Sequence, residues 1–203
     1  DKDTSGVLLV AKGPEALENL QAQFKQSTIK KEDLAVVHGQ VLAHGKIEGD
    51  IAEVGVYKGG SARLICEVKG DRVLHLFDTF EGLPDVGEID VLFHKGQFEA
   101  PLEDVKNNLK QYSYVHFYKG FFPETANPVK DKKFSFVHLD VDIYSSTLDS
   151  LNFFYPRMSR GGIIMSHDYI YAAGVQEAFD EFFKDKPEPI IELSGSQCLI
   201  VKV

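Results

Sequence analysis

Apolar runs of strand length that alternate with segments of helical spacing constrain this chain more than any other feature of its sequence. Such runs occupy Gly49 to Val54, Arg72 to Phe77, Tyr114 to Tyr118, Phe134 to Leu139 and Gly162 to Ser166. Between and after them, Ser61 to Val68, Leu102 to Gln111, Ser146 to Phe154 and Val175 to Lys184 have the spacing of amphipathic helices. Strands that alternate with helices build a parallel sheet covered on both faces, because each crossover must return the chain to the end of the sheet from which it left. The C-terminal end breaks this order. Pro189 to Glu192 and Gln197 to Val203 read as two strands joined by the turn-prone Leu193-Ser194-Gly195-Ser196, and such a hairpin is antiparallel. The expected fold is α/β: a doubly wound, mostly parallel, seven-stranded Rossmann-like sheet with a C-terminal antiparallel hairpin.

A chain of 203 residues is long enough for one well-buried core. We expect residues 49–203 to form the ligand-binding domain and residues 1–48 an N-terminal helical extension. Within the extension, Pro14 to Lys25 and Lys31 to His44 read as helices that either cover the ligand cleft as a lid or pack on the sheet edge. A net charge of -9 offers no attraction to nucleic acid or to an anionic membrane, both of which require clustered Lys and Arg. Cys66 and Cys198 lie in apolar surroundings without the close spacing of zinc or redox sites, which makes them core thiols. The apolar run Val7 to Ala11 is too short to span a bilayer and lacks the flanks of a secretory signal, so the expected location is the cytoplasm. The sequence begins at Asp rather than Met, as a piece of a longer protein would.

The strongest local signal is Asp50-Ile51-Ala52-Glu53-Val54-Gly55-Val56-Tyr57-Lys58-Gly59-Gly60-Ser61, a strand that runs through a Gly-rich turn into a helix. Glycines there permit a sharp turn and a close approach of backbone to ligand. Val56-Tyr57-Lys58 separates Gly55 from Gly59, which excludes the G-x-G-x-x-G dinucleotide fingerprint, and no Gly-Lys-Ser/Thr follows to make a phosphate-binding loop. Glu53, two residues before the first glycine, suits a cofactor with a cationic amino group rather than a pyrophosphate. The second strand runs into Phe77-Asp78-Thr79-Phe80-Glu81-Gly82-Leu83-Pro84, and Asp78 stands either where a nucleoside site presents a carboxylate to ribose hydroxyls or as a helix cap. The fourth and fifth strands lead into His138-Leu139-Asp140-Val141-Asp142-Ile143-Tyr144 and Met165-Ser166-His167-Asp168-Tyr169. Neighbouring parallel strands aim their C-terminal ends at one crevice, so Asp140, His167 and Asp168 converge there. Such a cluster is poorly tolerated unless a cation joins it, although these residues could instead cap helices or bind substrate directly. His138 is expected to face a helix rather than the crevice.

These segments, with Gly161-Gly162 and the shorter Gly96-Gln97-Phe98 and Lys119-Gly120-Phe121-Phe122-Pro123-Glu124-Thr125, resemble the macrocin O-methyltransferase family, enzymes that methylate sugar hydroxyls of macrolides and related natural products. The resemblance spans roughly Gly49 to Phe183. It implies a class I methyltransferase fold, for which a doubly wound sheet closed by an antiparallel hairpin is the usual architecture, and S-adenosylmethionine as cofactor. By resemblance Glu53, Gly55, Tyr57 and Ser61 hold its methionine part, Asp78 its ribose, and Gly120 with Phe121 flank its adenine. Asp140 completes the cofactor site. The family is also similar to catechol O-methyltransferases in holding a magnesium ion, with ligands that map to Asp140, His167 and Asp168.

Two departures matter. The family pattern reads Asp-Asp-Tyr where this chain has His167-Asp168-Tyr169, and imidazole favours manganese or a softer ion over magnesium. Ile143 stands near where the catechol enzymes carry a catalytic Lys, so another group must take the acceptor proton. Methyl transfer from a sulfonium is an in-line displacement that requires a well-placed oxygen and the removal of its proton. Asp140 with the metal, His167 as ligand or base, and Asp142 as the other base are the catalytic candidates. A metal-independent methyltransferase and a non-catalytic cofactor-binding paralogue are the competing expectations. The acceptor is expected to be a small hydroxylated molecule whose specificity lies in the N-terminal helices and the loop from Asp85 to Glu99. Phe80, Phe93, Phe98, Phe121 and Phe122 either supply an apolar wall for it or belong to the core, and the resemblance is compatible with a homo-oligomer.

Overall fold

The computed structural model describes residues 47–193 and 195–203. Seven strands form one sheet: β1 (Asp50–Val54), β2 (Leu74–Asp78), β3 (Val115–Lys119), β4 (Phe134–Leu139), β5 (Met158–Ser166), β6 (Ile191–Glu192) and β7 (Cys198–Val201). Their order is β3-β2-β1-β4-β5-β7-β6. The first five strands are parallel, whereas β7 pairs antiparallel with both β5 and β6. This is the expected doubly wound sheet with its C-terminal hairpin. β5 begins four residues earlier than its apolar run indicates, because the ladder bends where Gly161 adopts a positive φ of 80° and the register shifts between Phe134 and Phe136. The hairpin strands are shorter than expected, and the turn residue Ser194 lies outside the described residues, as do the expected helices Pro14 to Lys25 and Lys31 to His44.

Among the described residues four α-helices cover the sheet: α1 (Gly60–Val68), α2 (Leu102–Leu109), α3 (Tyr144–Phe154) and α4 (Ala173–Phe183). The two faces of each strand feed two separate cores, as the period of two in a strand requires. Ile51, Leu74, Leu76 and Phe136 pack with Ile65 of α1 and Val105 and Leu109 of α2. Ala52, Val54, Phe77, Val137 and Leu139 pack on the other face with Leu151 and Phe154 of α3 and Val175 and Phe179 of α4. Cys66 and Cys198 are buried free thiols, one in each core, as expected. Among the described residues no helix is long and apolar enough to cross a membrane.

The strand order reverses between β1 and β4: from β1 the chain progresses outward to β2 and β3, and from β4 outward to β5. At such a switch point the two connections leave on opposite faces and open a crevice beyond the C-terminal ends of the strands. Phe154 is the hub of the core beneath it, fully buried and in ring contact with Phe77, Phe122, Phe134 and Phe153. Phe154→Ala is expected to lower unfolding free energy by about 3–5 kcal/mol in urea denaturation, through lost burial and the cavity left behind.

Candidate functional site

Backbone hydrogen bonds that continue past the strand ends bring the chemistry-bearing residues together. Asp140 N–H donates to the Val54 carbonyl at 2.9 Å, His167 N–H to the Leu139 carbonyl at 2.8 Å, Gly55 N–H to the Phe77 carbonyl at 2.9 Å and Gly120 N–H to the Asp78 carbonyl at 3.0 Å. The turns after β1, β2, β3, β4 and β5 are thus laced side by side. They surround a cavity of about 330 Å³ lined by Gly55, Tyr57, Asp78, Gly120, Phe121, Asp140, Asp142, His167 and Asp168, together with loop residues that include Gln97 and Phe98.

The Gly-rich turn has a specific steric reason for its first glycine. Gly55 has φ 83°, and a Cβ there would sit 1.8 Å from the Asp140 carbonyl oxygen, so only glycine lets β1 turn against the end of β4. Asp78 fixes the same turn from the other side. Its Oδ2 accepts the N–H groups of Val56 and Tyr57 at 2.6 and 2.8 Å, and its Oδ1 accepts that of Phe80 at 2.6 Å. The carboxylate therefore clamps two turns together and also lines the cavity. Tyr57, Phe98, Asp142 and Asp168, all lining the cavity, are non-glycine residues with φ between 48° and 66°, a costly backbone state that concentrates where side-chain direction matters.

At the other end of the cavity His167 Nδ1 lies 3.2 Å from Asp140 Oδ1 and 2.7 Å from Asp168 Oδ2, without the alignment of a hydrogen bond to either. One donor atom from each of these residues lies within 4.8 Å of the other two, the spacing of ligands around a common cation. The carboxylates of Asp140 and then Asp168 hold the metal-free imidazole up at about 10. Asp142, next along the turn and 9% exposed, is pushed up to about 8, first by burial and then by the charges of Asp140 and Asp168. The donor set fits a divalent cation: two hard carboxylate oxygens and one borderline nitrogen, which suits manganese, iron, cobalt or zinc better than magnesium. The cavity fits a cationic cofactor as well, since among the described residues Asp78, Asp140, Asp142 and Asp168 line it and no Lys or Arg does.

Two expected cofactor residues stand apart from the cavity. Glu53 is fully buried on the α1 face of the sheet, opposite His138 in the β1–β4 register, with Oε1 2.9 Å from His138 Nδ1. Ser61 lies at the start of α1, next to that face, and does not line the cavity. Burial pushes the Glu53 carboxyl above its ordinary range against the lowering effect of His138. His138 lies away from the cavity, as expected. Ile143 is fully buried and supplies no base. Of the five phenylalanines expected at the wall or in the core, Phe98, Phe121 and Phe122 line the cavity, whereas Phe80 belongs to one core and Phe93 packs against the other. Sequence reasoning missed Ser146, Thr79, Leu83 and Pro84 as lining residues; the only signal for them is proximity to Asp142 and Asp78 in the chain.

Residues 27–196 match the macrocin-O-methyltransferase (TylF) family, most of the chain. The chain is 33% identical over 176 residues to 8-demethyl-8-(2,3-dimethoxy-alpha-L-rhamnosyl)-tetracenomycin-C 4'-O-methyltransferase of Streptomyces olivaceus, covering 77% of this chain and 66% of that protein. It thus spans about two thirds of the length of this curated relative. The solved structure of the O-methyltransferase NovP superposes with a TM-score of 0.74 at 26% identity, covering 85% of this chain and 79% of NovP. A short stretch of 47 residues, 23% of the chain, is 60% identical to 15% of ribosomal large subunit pseudouridine synthase C of Vibrio parahaemolyticus serotype O3:K6 (strain RIMD 2210633), too small a share of either protein to show a family. On the family match and the shared fold together, the chain belongs to the macrocin-O-methyltransferase (TylF) family.

Proposed function

We propose that this chain transfers the methyl group of S-adenosylmethionine to a hydroxyl oxygen of a small molecule, with a divalent cation held by Asp140, His167 and Asp168. The observation that carries the reading is the convergence of those three side chains in a cavity that, among the described residues, is lined by carboxylates and by no cationic side chain other than His167. The rhamnosyl group in the name of the Streptomyces olivaceus relative supports a sugar hydroxyl, or a similar diol, as the acceptor.

S-adenosylmethionine supplies an electrophilic methyl group and a divalent cation supplies Lewis acidity at the acceptor oxygen. The residues do the rest by position and charge. Gly55 and Tyr57 shape the pocket for the methionine end, Asp78 meets the ribose with the lone pairs its clamp leaves over, and Gly120 with Phe121 forms the adenine wall. Glu53, buried against His138, and Ser61 stand apart from the cavity and act on the cofactor only indirectly. Asp140 and Asp168 hold the acceptor end, and His167 Nδ1 faces the same point. Asp142, which lines the cavity two residues from Asp140, is placed to take the acceptor proton.

One observation favours a second, metal-independent reading. His167 lies close enough to both carboxylates to serve, when protonated, as the site's own cation. Chelation separates the two: dialysis against a strong chelator is expected to abolish turnover, and manganese to restore it more fully than magnesium. Unchanged turnover after chelation favours the metal-independent reading.

Asp140→Ala is expected to lower kcat by ~10²-fold or more while leaving the melting temperature and circular dichroism near those of the parent. Near-normal activity in that variant contradicts the metal assignment. Asp78→Ala is expected to act differently, lowering unfolding free energy by about 2 kcal/mol because three N–H groups lose a charged acceptor, and weakening S-adenosylmethionine binding in calorimetry.

A further inference from the structure

From Thr79 to Phe98 the chain leaves the end of β2 and returns as one wall of the cavity, to which it contributes Leu83, Pro84, Gln97 and Phe98. The neck of this loop is closed by its own backbone: Leu83 N–H donates to the Gln97 carbonyl at 2.8 Å and Gly96 N–H to the Leu83 carbonyl at 2.9 Å. Beyond the neck Ile89, Val91 and Leu92 are exposed, yet Asp90 among them is 3% exposed. A carboxylate is buried in an otherwise exposed loop only where it finds compensation.

The compensation comes from the start of one helix that cannot cap itself and from the positive end of a second packed beside it. Ile143 and Ala172 hold the cap positions of α3 and α4, neither helix has a side-chain cap hydrogen bond, and neither carries an acidic residue in its first turn. Each therefore presents orphan N–H groups and the positive end of its dipole. Asp90 Oδ1 accepts the N–H of Tyr144, the first residue of α3 and 54 positions along the chain, at 3.0 Å. The same oxygen lies so near Gly174, the second residue of α4, that a Cβ there would come within 1.9 Å of it. Asp90 Oδ2 accepts the Gly87 N–H at 3.2 Å, folding the loop tip onto itself. Tyr144 is also flanked in sequence by Asp142 and Ser146, which line the same cavity as Gln97 and Phe98.

We infer that Asp90 is a positioning residue that sets the width of the acceptor end of the cavity by serving as a long-range cap for α3 while packed against Gly174 in the first turn of α4. The kinetic consequence rests on the proposed methyl transfer; the structural one does not. With the carboxylate in place, the loop wall stands at a fixed distance from Asp142 and Ser146. Without it, the neck at Leu83 and Gly96 still holds but the tip is released.

Hydrogen–deuterium exchange on the ligand-free protein and steady-state kinetics with methyl α-L-rhamnopyranoside as acceptor test this with Asp90→Ala, Asp90→Asn and Gly174→Ala. Asp90→Ala is expected to raise exchange of loop amides between 86 and 95 by ~tenfold while amides of β1 and β4 keep their rates. It is also expected to raise acceptor KM about tenfold, with kcat and S-adenosylmethionine affinity within about twofold of the parent. Asp90→Asn, whose amide oxygen still accepts the Tyr144 N–H, recovers most of both effects. Gly174→Ala expels the carboxylate with Asp90 intact and reproduces the exchange increase, which decides the matter if Asp90→Ala does not fold. Unchanged loop exchange in both Asp90→Ala and Gly174→Ala overturns the proposal, as does loss of cofactor affinity in step with acceptor KM without recovery in Asp90→Asn. Loop exchange that responds as described in a protein with no methyl transfer overturns the proposed function and leaves the Asp90 anchor standing.

Discussion

The close contact between Gly55 and the backbone of Asp140 is the constraint on which the rest of the site depends. β1 and β4 are neighbours at the switch point, and the turn that leaves β1 must pass directly over the end of β4. With φ 83° and no side chain, Gly55 lies against the Asp140 carbonyl at a distance that no Cβ would allow. That contact sets where the Gly-rich turn stands relative to Asp140, and so sets the separation between the cofactor end of the cavity and the acidic end. Asp78 secures the turn from the β2 side, and Leu139, whose carbonyl receives the His167 N–H, carries the same lacing on to the end of β5.

Charge organises the two ends differently. Around Asp78 the carboxylate is spent mainly on backbone N–H groups, which leaves a neutralised, hydrogen-bonding surface. Between Asp140 and Asp168 stands an imidazole that both carboxylates approach, and Asp168 also accepts the Ser196 hydroxyl at 3.3 Å. Carboxylates clustered in a partly buried pocket raise each other's proton affinity, as Asp142 shows, and a bound cation reverses that effect. The strained backbone at Asp142 and Asp168 is consistent with a site built for direction at the expense of local stability.

Most of the fold was legible because its signals are local. Strand–helix alternation, the Gly-rich turn and the hairpin each follow from short-range periodicity, and Asp140, His167 and Asp168 could be brought together by knowing only that parallel strands end on one side. Other features depend on register or on distant contacts. Glu53 looks like a site residue in the sequence, two positions before Gly55, but it lies within β1 and is buried on the α1 face of the sheet, where it meets His138. Asp90 carries no sequence signal, because its partners Tyr144 and Gly174 come from two other elements. The bend in β5 is likewise a consequence of pairing with β4 rather than of the run Gly162 to Ser166.

The most direct measurement is calorimetric titration of the metal-stripped protein with S-adenosylmethionine, repeated with magnesium and then with manganese. Cation-assisted methyl transfer requires saturable cofactor binding, and a change in its affinity or enthalpy on adding a cation that is larger for manganese than for magnesium and absent in Asp140→Ala. No cofactor binding under any of these conditions contradicts the methyl-transfer reading, and binding indifferent to both cations contradicts the assignment of Asp140, His167 and Asp168 as a metal site beside it.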